Sequence, residues 1–240
     1  PVRPNFFRAA TNNDVENKYG YRYGKWLTAS LYAKCEFVGI SKGDCSCKIE
    51  YAYDLPNLQD EKVHLVYEVY GDGKIIVDMS YQPVVSEIEM PVFGLIFQLY
   101  KDMEEVNYYG FGPEENYIDR NKGALLGKYT YQVTDNLTPY LYPQECGNRT
   151  HVRELSVAGE NTKLRIKGED FEFSALHYTP YELENARHKD ELPNVYQTVL
   201  CINEKQMGIA GDDTWGAKTH DEFLLDKEKH HLRFSFKGKL

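Results

Sequence analysis

Hydrophobic and polar residues alternate with a period of two along much of this chain, which is the pattern of β-strands with one buried face. In residues 46–53, apolar side chains at every second position from Cys47 to Tyr53 alternate with Lys48 and Glu50. Turn-forming residues separate such segments every ~8–12 positions, which favours an antiparallel sandwich. Strands are predicted at 32–40, 46–53, 63–70, 74–82, 92–100, 128–133, 151–158, 163–167, 170–175, 195–202, 205–209, 222–225 and 231–236.

Two of these segments carry additional information about the sheet. Residues 63–70 and 74–82 flank Gly71-Asp72-Gly73, a short glycine-containing turn that predicts a β-hairpin. Residues 92–100 are apolar at nearly every position, which is typical of a strand covered on both faces. The chain shows no internal repeat and no linker-like segment, so residues 1–240 are predicted to form one all-β domain.

One short helix is predicted near residue 180. Thr179 can act as its N-cap, Pro180 suits its first turn, and Glu182 completes a capping box. Leu183 lies on its buried side, and Pro193 prevents its continuation.

Residues 17–30 (NKYGYRYGKWLTAS) are rich in glycine and tyrosine and show no clear period. They are predicted to form a mobile loop that leads into a strand, with Trp26 as its anchor.

Composition excludes several classes of partner. The formal net charge of −9 repels a phosphate backbone, so nucleic acid is not an expected partner. The most apolar run, residues 90–99, is far shorter than the roughly 18 residues of a membrane span. Five cysteines are an odd number in a chain of this length and suit free thiols in a reducing cytoplasm. The Cys45-Ser46-Cys47 spacing does not fit a zinc site, so no metal is predicted.

Charged residues within segment 107–155 lie beside glycines, prolines and aromatic residues rather than along one helix face. They are Glu115, Asp119, Arg120, Glu145, Arg149 and Arg153. A carboxylate and a guanidinium held by rigid turns can pair bidentately and fix the geometry of a loop. The alternative is that these are ordinary solvated charges, whose exposed pairs contribute only about 0–1 kcal/mol.

Six blocks of the chain, in a fixed order, carry a resemblance to a known family. They are 8–14 (RAATNND), 110–120 (GFGPEENYIDR), 138–140 (TPY), 143–149 (PQECGNR), 175–184 (ALHYTPYELE) and 207–216 (MGIAGDDTWG). Together they resemble the C-terminal domain of the β-galactosidases of glycoside hydrolase family 2, which is called the small chain where the gene is split. Arg8 and Asp14 belong to the first block. The departures from the family pattern are Ala10, Asn12, Cys146, His151 and Ala210.

The resemblance implies a large antiparallel β-supersandwich like that of galactose mutarotases, cut into at its N-terminal side. It implies that the catalytic glutamates and any magnesium ion belong to a separate barrel domain, so this chain has no catalytic residue or cofactor of its own. The implied partners are a β-galactosidase large chain, or its remaining domains, and a terminal β-galactoside such as lactose. The intact enzyme is expected to be oligomeric, and the chain alone is expected to be inactive.

The same resemblance assigns candidate roles to two loops. Trp215 is expected to offer its indole face to a sugar, with Asp212 and Asp213 available to bind hydroxyl groups or a cation. The alternatives are a tryptophan packed on its own sheet and aspartates that cap their own turn. Segment 17–30 matches a mobile loop near the family's active site, in which Gly20 and Gly24 permit movement and Tyr19 meets sugar or another subunit.

Two other functions remain open from the sequence. The first is a stand-alone carbohydrate-binding or aldose-epimerase-like protein, in which His177 would act as the acid or base. The second is a purely structural subunit.

Overall fold

The computed structural model describes residues 2–56, 58, 61–83, 89–213, 215–225 and 229–239. Its α-helices are α1 (Asn12–Glu16), α2 (Tyr19–Tyr32) and α3 (Pro180–Asn185), and its short 3₁₀ helices are Val133–Asn136, Lys189–Glu191 and Asp221–Phe223. Its strands are β1 (Arg3–Asn5), β2 (Lys34–Lys42), β3 (Ser46–Asp54), β4 (Lys62–Tyr70), β5 (Ile75–Tyr81), β6 (Val92–Tyr100), β7 (Glu105–Gly112), β8 (Leu125–Gln132), β9 (Asn148–Ala158), β10 (Lys163–Leu176), β11 (Gln197–Gln206) and β12 (His230–Lys239).

All the described strands pair antiparallel in one sheet that divides at β10. Along one edge of β10, residues 163–168 pair with β12 and residues 172–176 pair with β11. The first leaf continues from β11 through β6 to β1, and the second leaf continues from β12 through β5, β4 and β3 to β2. The other edge of β10 pairs with β9, followed by β7 and β8. The long strand β10 is therefore common to both leaves.

The two leaves pack face to face through aromatic side chains. The ring of Phe97 on β6 lies 6.2 Å from Phe234 and 5.9 Å from Phe236 on β12, centroid to centroid. Phe93 on β6 stacks on Tyr81 of β5 at 6.3 Å. Each fully buried side chain of this size contributes about 1.5–3 kcal/mol through removal from water. The predicted all-β antiparallel fold, with apolar inner faces, is confirmed.

The predicted mobile loop over 17–30 is wrong in form, because α2 occupies Tyr19–Tyr32. Tyr19, Tyr23 and Trp26 are buried at helical spacing and pack into the core. Gly20 lies on the exposed side of the same helix, where an added Cβ would contact nothing within 4 Å. The burial of three aromatic rings outweighs the roughly 1 kcal/mol that each glycine costs in a helix interior.

Other element predictions are also corrected. The strand predicted at 222–225 is wrong, because these residues include part of a 3₁₀ helix. The strand predicted at 205–209 is not a separate element, because residues 205 and 206 end β11. The strands predicted at 163–167 and 170–175 form one strand, β10. Strands β1 and β7 and helix α1 were not predicted. The helix predicted at residue 180 is confirmed, with the Thr179 and Glu182 capping box in place, although it ends at Asn185 rather than near Pro193.

Two further expectations concern membrane spans and thiols. No helix among the described residues is long and apolar enough to cross a membrane. All five cysteines fall within the described ranges and are free thiols, of which Cys146 and Cys201 are buried.

Close strand packing at the centre of the first leaf predicts a sensitive glycine. A Cβ added to Gly94 on β6 would collide with Asn203 Oδ1 and lie 2.6 Å from the carbonyl oxygen of Ile202. We expect Gly94→Ala to lower the free energy of unfolding by about 2–3 kcal/mol or more in urea titrations. Gly39→Ala, on β2, is the matched control because nothing lies within 4 Å of its added Cβ. Equal stability of the two variants would contradict this packing.

Candidate functional site

Trp215 stands at the tip of a loop over residues 207–220 that the structure describes except for Thr214. Its side chain is 87% exposed, so it does not pack on its own sheet. The backbone N–H groups of Trp215 and Ala217 donate to Asp213 Oδ1 at 2.8 and 3.3 Å, so Asp213 caps its own turn. Gly216 has a φ of +98°, which glycine adopts without steric cost. The turn therefore presents an indole face to solvent.

A buried arginine holds the start of this loop. Arg8 is 1% exposed, and its guanidinium donates to the carbonyl oxygens of Met207 at 2.5 Å and Gly208 at 2.9 Å. It also pairs with buried Asp14 at 3.0 Å, and Asp14 accepts the N–H of Thr11 in a capping box. Removal of one partner from such a buried pair costs about 3–5 kcal/mol, because the other charge remains buried.

Two side chains hold the loop further along. Asp119 Oδ2 accepts the backbone N–H of Ala210 at 2.9 Å, and a Cβ on Gly208 would lie 2.6 Å from that same oxygen. Asn13 Nδ2 donates to the carbonyl oxygen of Ala217 at 3.1 Å. The sequence blocks 8–14 and 110–120 therefore converge on the loop that carries Trp215.

Glu115 organises the segment 110–155 from one carboxylate. It accepts the N–H of Gly147 at 2.7 Å and the hydroxyl groups of Thr138 at 2.9 Å and Tyr140 at 2.7 Å. Arg120 lies 3.2 Å away through a single nitrogen and is half-exposed, so the predicted pair forms but is not bidentate. The hydrogen bonds from Gly147, Thr138 and Tyr140 to Glu115, more than the ion pair with Arg120, therefore hold the loops of segment 110–155 together.

Arg149 is neither a solvated charge nor part of an ion pair among the described residues. It is buried and donates to Tyr108 Oη, to the carbonyl oxygen of Pro113 and to Asn136 Oδ1 at 3.0–3.2 Å. Its guanidinium also lies 5.2 Å from the ring centroid of Tyr131. Neutral acceptors and an aromatic face satisfy this charge.

Arg153 also lacks a carboxylate partner among the described residues. It donates to the carbonyl oxygen of His151 at 3.2 Å and lies 5.8 Å from the centroid of the Tyr109 ring. Both arginines lie on β9, and their acceptors there are carbonyl oxygens and neutral side chains, which residue spacing does not reveal.

Glu145 lies beneath the loop rather than in an ion pair. Its Oε1 is 3.4 Å from both the Tyr117 hydroxyl and Gln206 Nε2. Burial raises the pKa of Glu145 to about 7, and the nearby charge of Arg8 opposes this shift. The side chain borders a cavity of about 20 Å³, which is large enough for one water molecule and too small for a sugar.

Four acids that border the interior or the open surface depression do not offer a free pair of carboxyl groups for glycoside hydrolysis. Such a pair flanks a bound sugar at about 5–9.5 Å. Glu145 and Glu172 have raised pKa values but are buried. An open depression of about 430 Å³ includes Glu115 and Asp119, yet both already accept hydrogen bonds from the chain.

His177 is held by the protein on both ring nitrogens. Its Nδ1 donates to the carbonyl oxygen of Gln197 at 3.0 Å, and its Nε2 lies 2.8 Å from Glu104 Oε1. Because the ring is 6% exposed and fully engaged, it fits a structural role better than sugar chemistry.

The two aspartates of the Trp215 loop differ in their surroundings. Asp213 is committed to its turn, whereas Asp212 is 83% exposed and pairs with His220 at 2.8 Å. That pair raises the pKa of His220. Among the described residues there is no group of three or more His, Cys, Asp and Glu side chains that could hold a metal ion.

The residues predicted for a mobile loop are placed differently from that expectation. Tyr19 is buried and donates its hydroxyl to the carbonyl oxygen of Arg8 at 3.0 Å, so it supports the site from within. Gly20 and Gly24 lie within α2 rather than in a lid.

Asp119 and Asn13 hold the loop from outside its own sequence. The sequence indicated Asp119 only as one of the charged residues of segment 107–155, and it did not indicate Asn13. Both lie within the matching blocks, and that position was the available signal.

The buried carboxyl group of Glu172 should make the stability of the folded chain depend on pH. It accepts Asn148 Nδ2 at 3.1 Å, and burial raises its pKa to about 8 from 4.5. Between those values the folded chain retains a proton that the unfolded chain loses. The contribution of Glu172 to stability should therefore be greatest below pH 4.5 and fall as the pH rises toward about 8.

We expect Glu172→Gln to remove this part of the fall in unfolding free energy between about pH 5 and pH 8. Glu169→Gln, which is exposed on the same strand, is the control and should behave as the wild type. An unchanged pH profile for Glu172→Gln would show that this carboxyl group is not buried as described.

The chain matches the family model described as β-galactosidase small chain over residues 1–237. It is 39% identical over 233 residues to a β-galactosidase of Streptococcus thermophilus, covering 95% of this chain and 23% of that protein. It is 38% identical over 242 residues to a β-galactosidase of Halalkalibacterium halodurans, covering 98% and 24%. The chain thus spans about a quarter of the length of these curated relatives.

Among solved structures, a GalM/aldose epimerase homologue from C. elegans resembles the chain with a TM-score of 0.44 and 11% identity, covering 86% of this chain and 68% of that one. The sequence matches extend over nearly the whole chain and include the blocks that support the Trp215 loop. The chain belongs to the β-galactosidase small chain family.

Proposed function

We propose that this chain is the part of a β-galactosidase that completes its active site and supports its assembly, for hydrolysis of terminal β-galactosides such as lactose. The catalytic glutamates belong to a separate barrel domain, and the chain alone is inactive. Magnesium, which the family resemblance assigns to that barrel, has no suitable cluster of ligands among the described residues here.

The exposure of Trp215 carries this proposal. An indole that is 87% exposed loses the hydrophobic stabilisation that burial would give, and a loop does not retain such a group for its own stability. A flat aromatic face suits the apolar C–H face of a sugar ring. The contacts of Arg8, Asp119 and Asn13 fix the loop before any ligand arrives, which lowers the entropy lost on binding.

Asp212 is the better candidate to bind a sugar hydroxyl beside this platform. Its carboxylate is exposed, whereas Asp213 already accepts two backbone N–H groups of its own turn. His220 orients Asp212 through their 2.8 Å contact. A platform and one adjacent carboxylate bind a sugar but cannot cleave its glycosidic bond, which needs two carboxyl groups.

The thiols are consistent with a cytoplasmic location. Cys35 and Cys45 are exposed and unpaired, and such thiols persist where the surroundings are reducing.

The test is hydrolysis of a chromogenic aryl β-galactoside by the chain, alone and mixed with a β-galactosidase large chain that lacks the matching region. We expect activity only in the mixture. Trp215→Ala should raise KM by about tenfold, equal to about 1.4 kcal/mol of lost binding, with little change in association.

Tyr100→Ala is the control, because this aromatic side chain is also well exposed but lies at the end of β6. It should leave KM unchanged. Hydrolysis by the chain alone, or an unchanged KM for Trp215→Ala, would contradict the proposed function.

A further inference from the structure

The outer face of strands β8, β7, β9 and β10 forms an open groove of about 360 Å³. Directly paired residues share a face of a sheet, so the register gives the lining of the groove as cross-strand rows. The first row, from β8 to β10, is Lys128, Tyr109, Glu154 and Lys167. The second row is Thr130, Asn107, Ser156 and Arg165. The residues between these rows, such as Leu155 and Ile166, belong to the core, so the groove lies on the side away from it.

Positive charge is concentrated on this face, although the chain as a whole has a formal net charge of −9. A third row, next to the second, runs from Glu105 on β7 through Ala158 to Lys163 on β10. Strand β12 extends the second and third rows with Lys237 and Lys239. The acids in the three rows are Glu105 and Glu154, and the cations are Lys128, Lys163, Arg165, Lys167, Lys237 and Lys239. Cations therefore outnumber acids on this face.

Two directly opposed pairs on this face carry like charges. Lys163 on β10 lies opposite Lys239 on β12, and Arg165 lies opposite Lys237. Asp72 offsets the second pair through its 3.1 Å contact with Lys237. Like charges directly opposite each other in a sheet are destabilising. The stability of the sheet therefore does not account for these residues, and an anion bound beside β10 would relieve the repulsion.

Three of the cations that line the groove have no partner in the described part of the chain. Lys167 is not among them, because its Nζ donates to Glu154 Oε1 at 2.8 Å. Lys128, Lys163 and Arg165 line the groove and make no hydrogen bond or ion pair with the described residues. Lys128 lies on β8 at one rim, and the other two lie on β10 at the opposite rim. Both rims therefore present free positive charge.

The floor of the groove is already engaged in contacts within the chain. The guanidinium of Arg153 lies over the Tyr109 ring, 5.8 Å from its centroid. The Asn107 side chain donates to Glu105 Oε1 at 2.8 Å and accepts from the Thr130 hydroxyl at 2.6 Å. A sugar or a nucleic-acid base needs a free aromatic face or free polar groups that orient it. Positive charge at the rims is therefore the main feature that can select a ligand here.

We propose that the groove binds an acidic segment of a partner polypeptide, whose carboxylates pair with Lys128 on one rim and with Lys163 and Arg165 on the other. Three strand spacings separate β8 from β10, or about 14 Å. A helix about 10–12 Å wide, or an extended segment, fits between the rims, whereas a single small anion does not reach both. None of the lining residues belongs to the loop over 207–220, so this inference does not depend on the function proposed above.

Charge complementarity favours a short acidic segment over a nucleic acid. Screening limits electrostatic interactions to about 8 Å at physiological ionic strength, so carboxylates held in the groove interact mainly with its own cations. A nucleic acid carries phosphate groups well beyond the groove, where the excess of acidic residues in the chain repels them.

The test is the binding of a fluorescently labelled peptide of alternating glutamate and serine, followed by fluorescence anisotropy. We expect binding at about 0.05 M sodium chloride that weakens by about tenfold or more at about 0.5 M, because salt screens exposed ion pairs. The same peptide with glutamine in place of glutamate should not bind.

Substitution locates the binding site. Lys128→Gln with Arg165→Gln should weaken peptide binding by about tenfold or more, with the unfolding midpoint little changed because both side chains are exposed. Lys128→Arg with Arg165→Lys keeps both charges and should retain most of the affinity. The matched control is Lys48→Gln with Arg187→Gln, which removes the same charge from exposed positions outside the groove.

The other outcomes overturn the proposal. Absence of binding at low salt, or equal weakening by the groove variant and the control, would show that the groove is not the site. Tighter binding of a single-stranded oligonucleotide or of polygalacturonate at the same cations would replace the polypeptide with a nucleic acid or an acidic polysaccharide. Displacement of the peptide by millimolar inorganic phosphate, but not by sodium chloride of equal ionic strength, would leave only a small-anion site.

Discussion

The burial of one positive charge is the constraint on which the rest of the site depends. Arg8 is only 1% exposed, so its charge must be stabilised by acceptors inside the protein. The carbonyl oxygens of Met207 and Gly208 and the carboxylate of Asp14 accept from its two terminal nitrogens, whereas Nε has no partner among the described residues. The two carbonyl groups lie 199 and 200 residues away along the chain. A side chain near one end of the sequence thereby sets the path of a loop near the other.

That constraint explains how an exposed aromatic side chain can be well positioned. Trp215 gains nothing from its own packing, so its placement must come from the backbone that carries it. Arg8 fixes the start of the loop, Asp119 fixes it at Ala210, and Asp213 closes the turn. In the same interior, burial raises the pKa of Glu145 to about 7, because removal from water disfavours the charged carboxylate. The polar interior thus supports one apolar surface group.

Local patterns in the sequence predicted the parts of this fold that local physics determines. The alternation over 46–53 and the glycine turn at 71–73 give strands and a hairpin, and Thr179 with Glu182 gives a capped helix. Helix α2 was mistaken for a loop because Gly20 and Gly24 obscured a buried stripe of aromatic rings. The triple pairing of β10 and the neutral acceptors of Arg149 depend on contacts between distant segments, which spacing does not encode. The exposure of Trp215 followed from the family resemblance and not from any period.

The proposed function depends most on direct contact between Trp215 and a sugar, and chemical oxidation of tryptophan tests that contact. The assembled enzyme is treated with limiting N-bromosuccinimide, with and without a galactoside that it cannot hydrolyse, and oxidation is followed by peptide mass spectrometry. Trp26 is 2% exposed and serves as the unreactive internal reference. We predict that the galactoside slows oxidation of Trp215 several-fold in the assembled enzyme and has no effect in the chain alone. Equal rates of Trp215 oxidation in the assembled enzyme, with and without galactoside, would contradict the account.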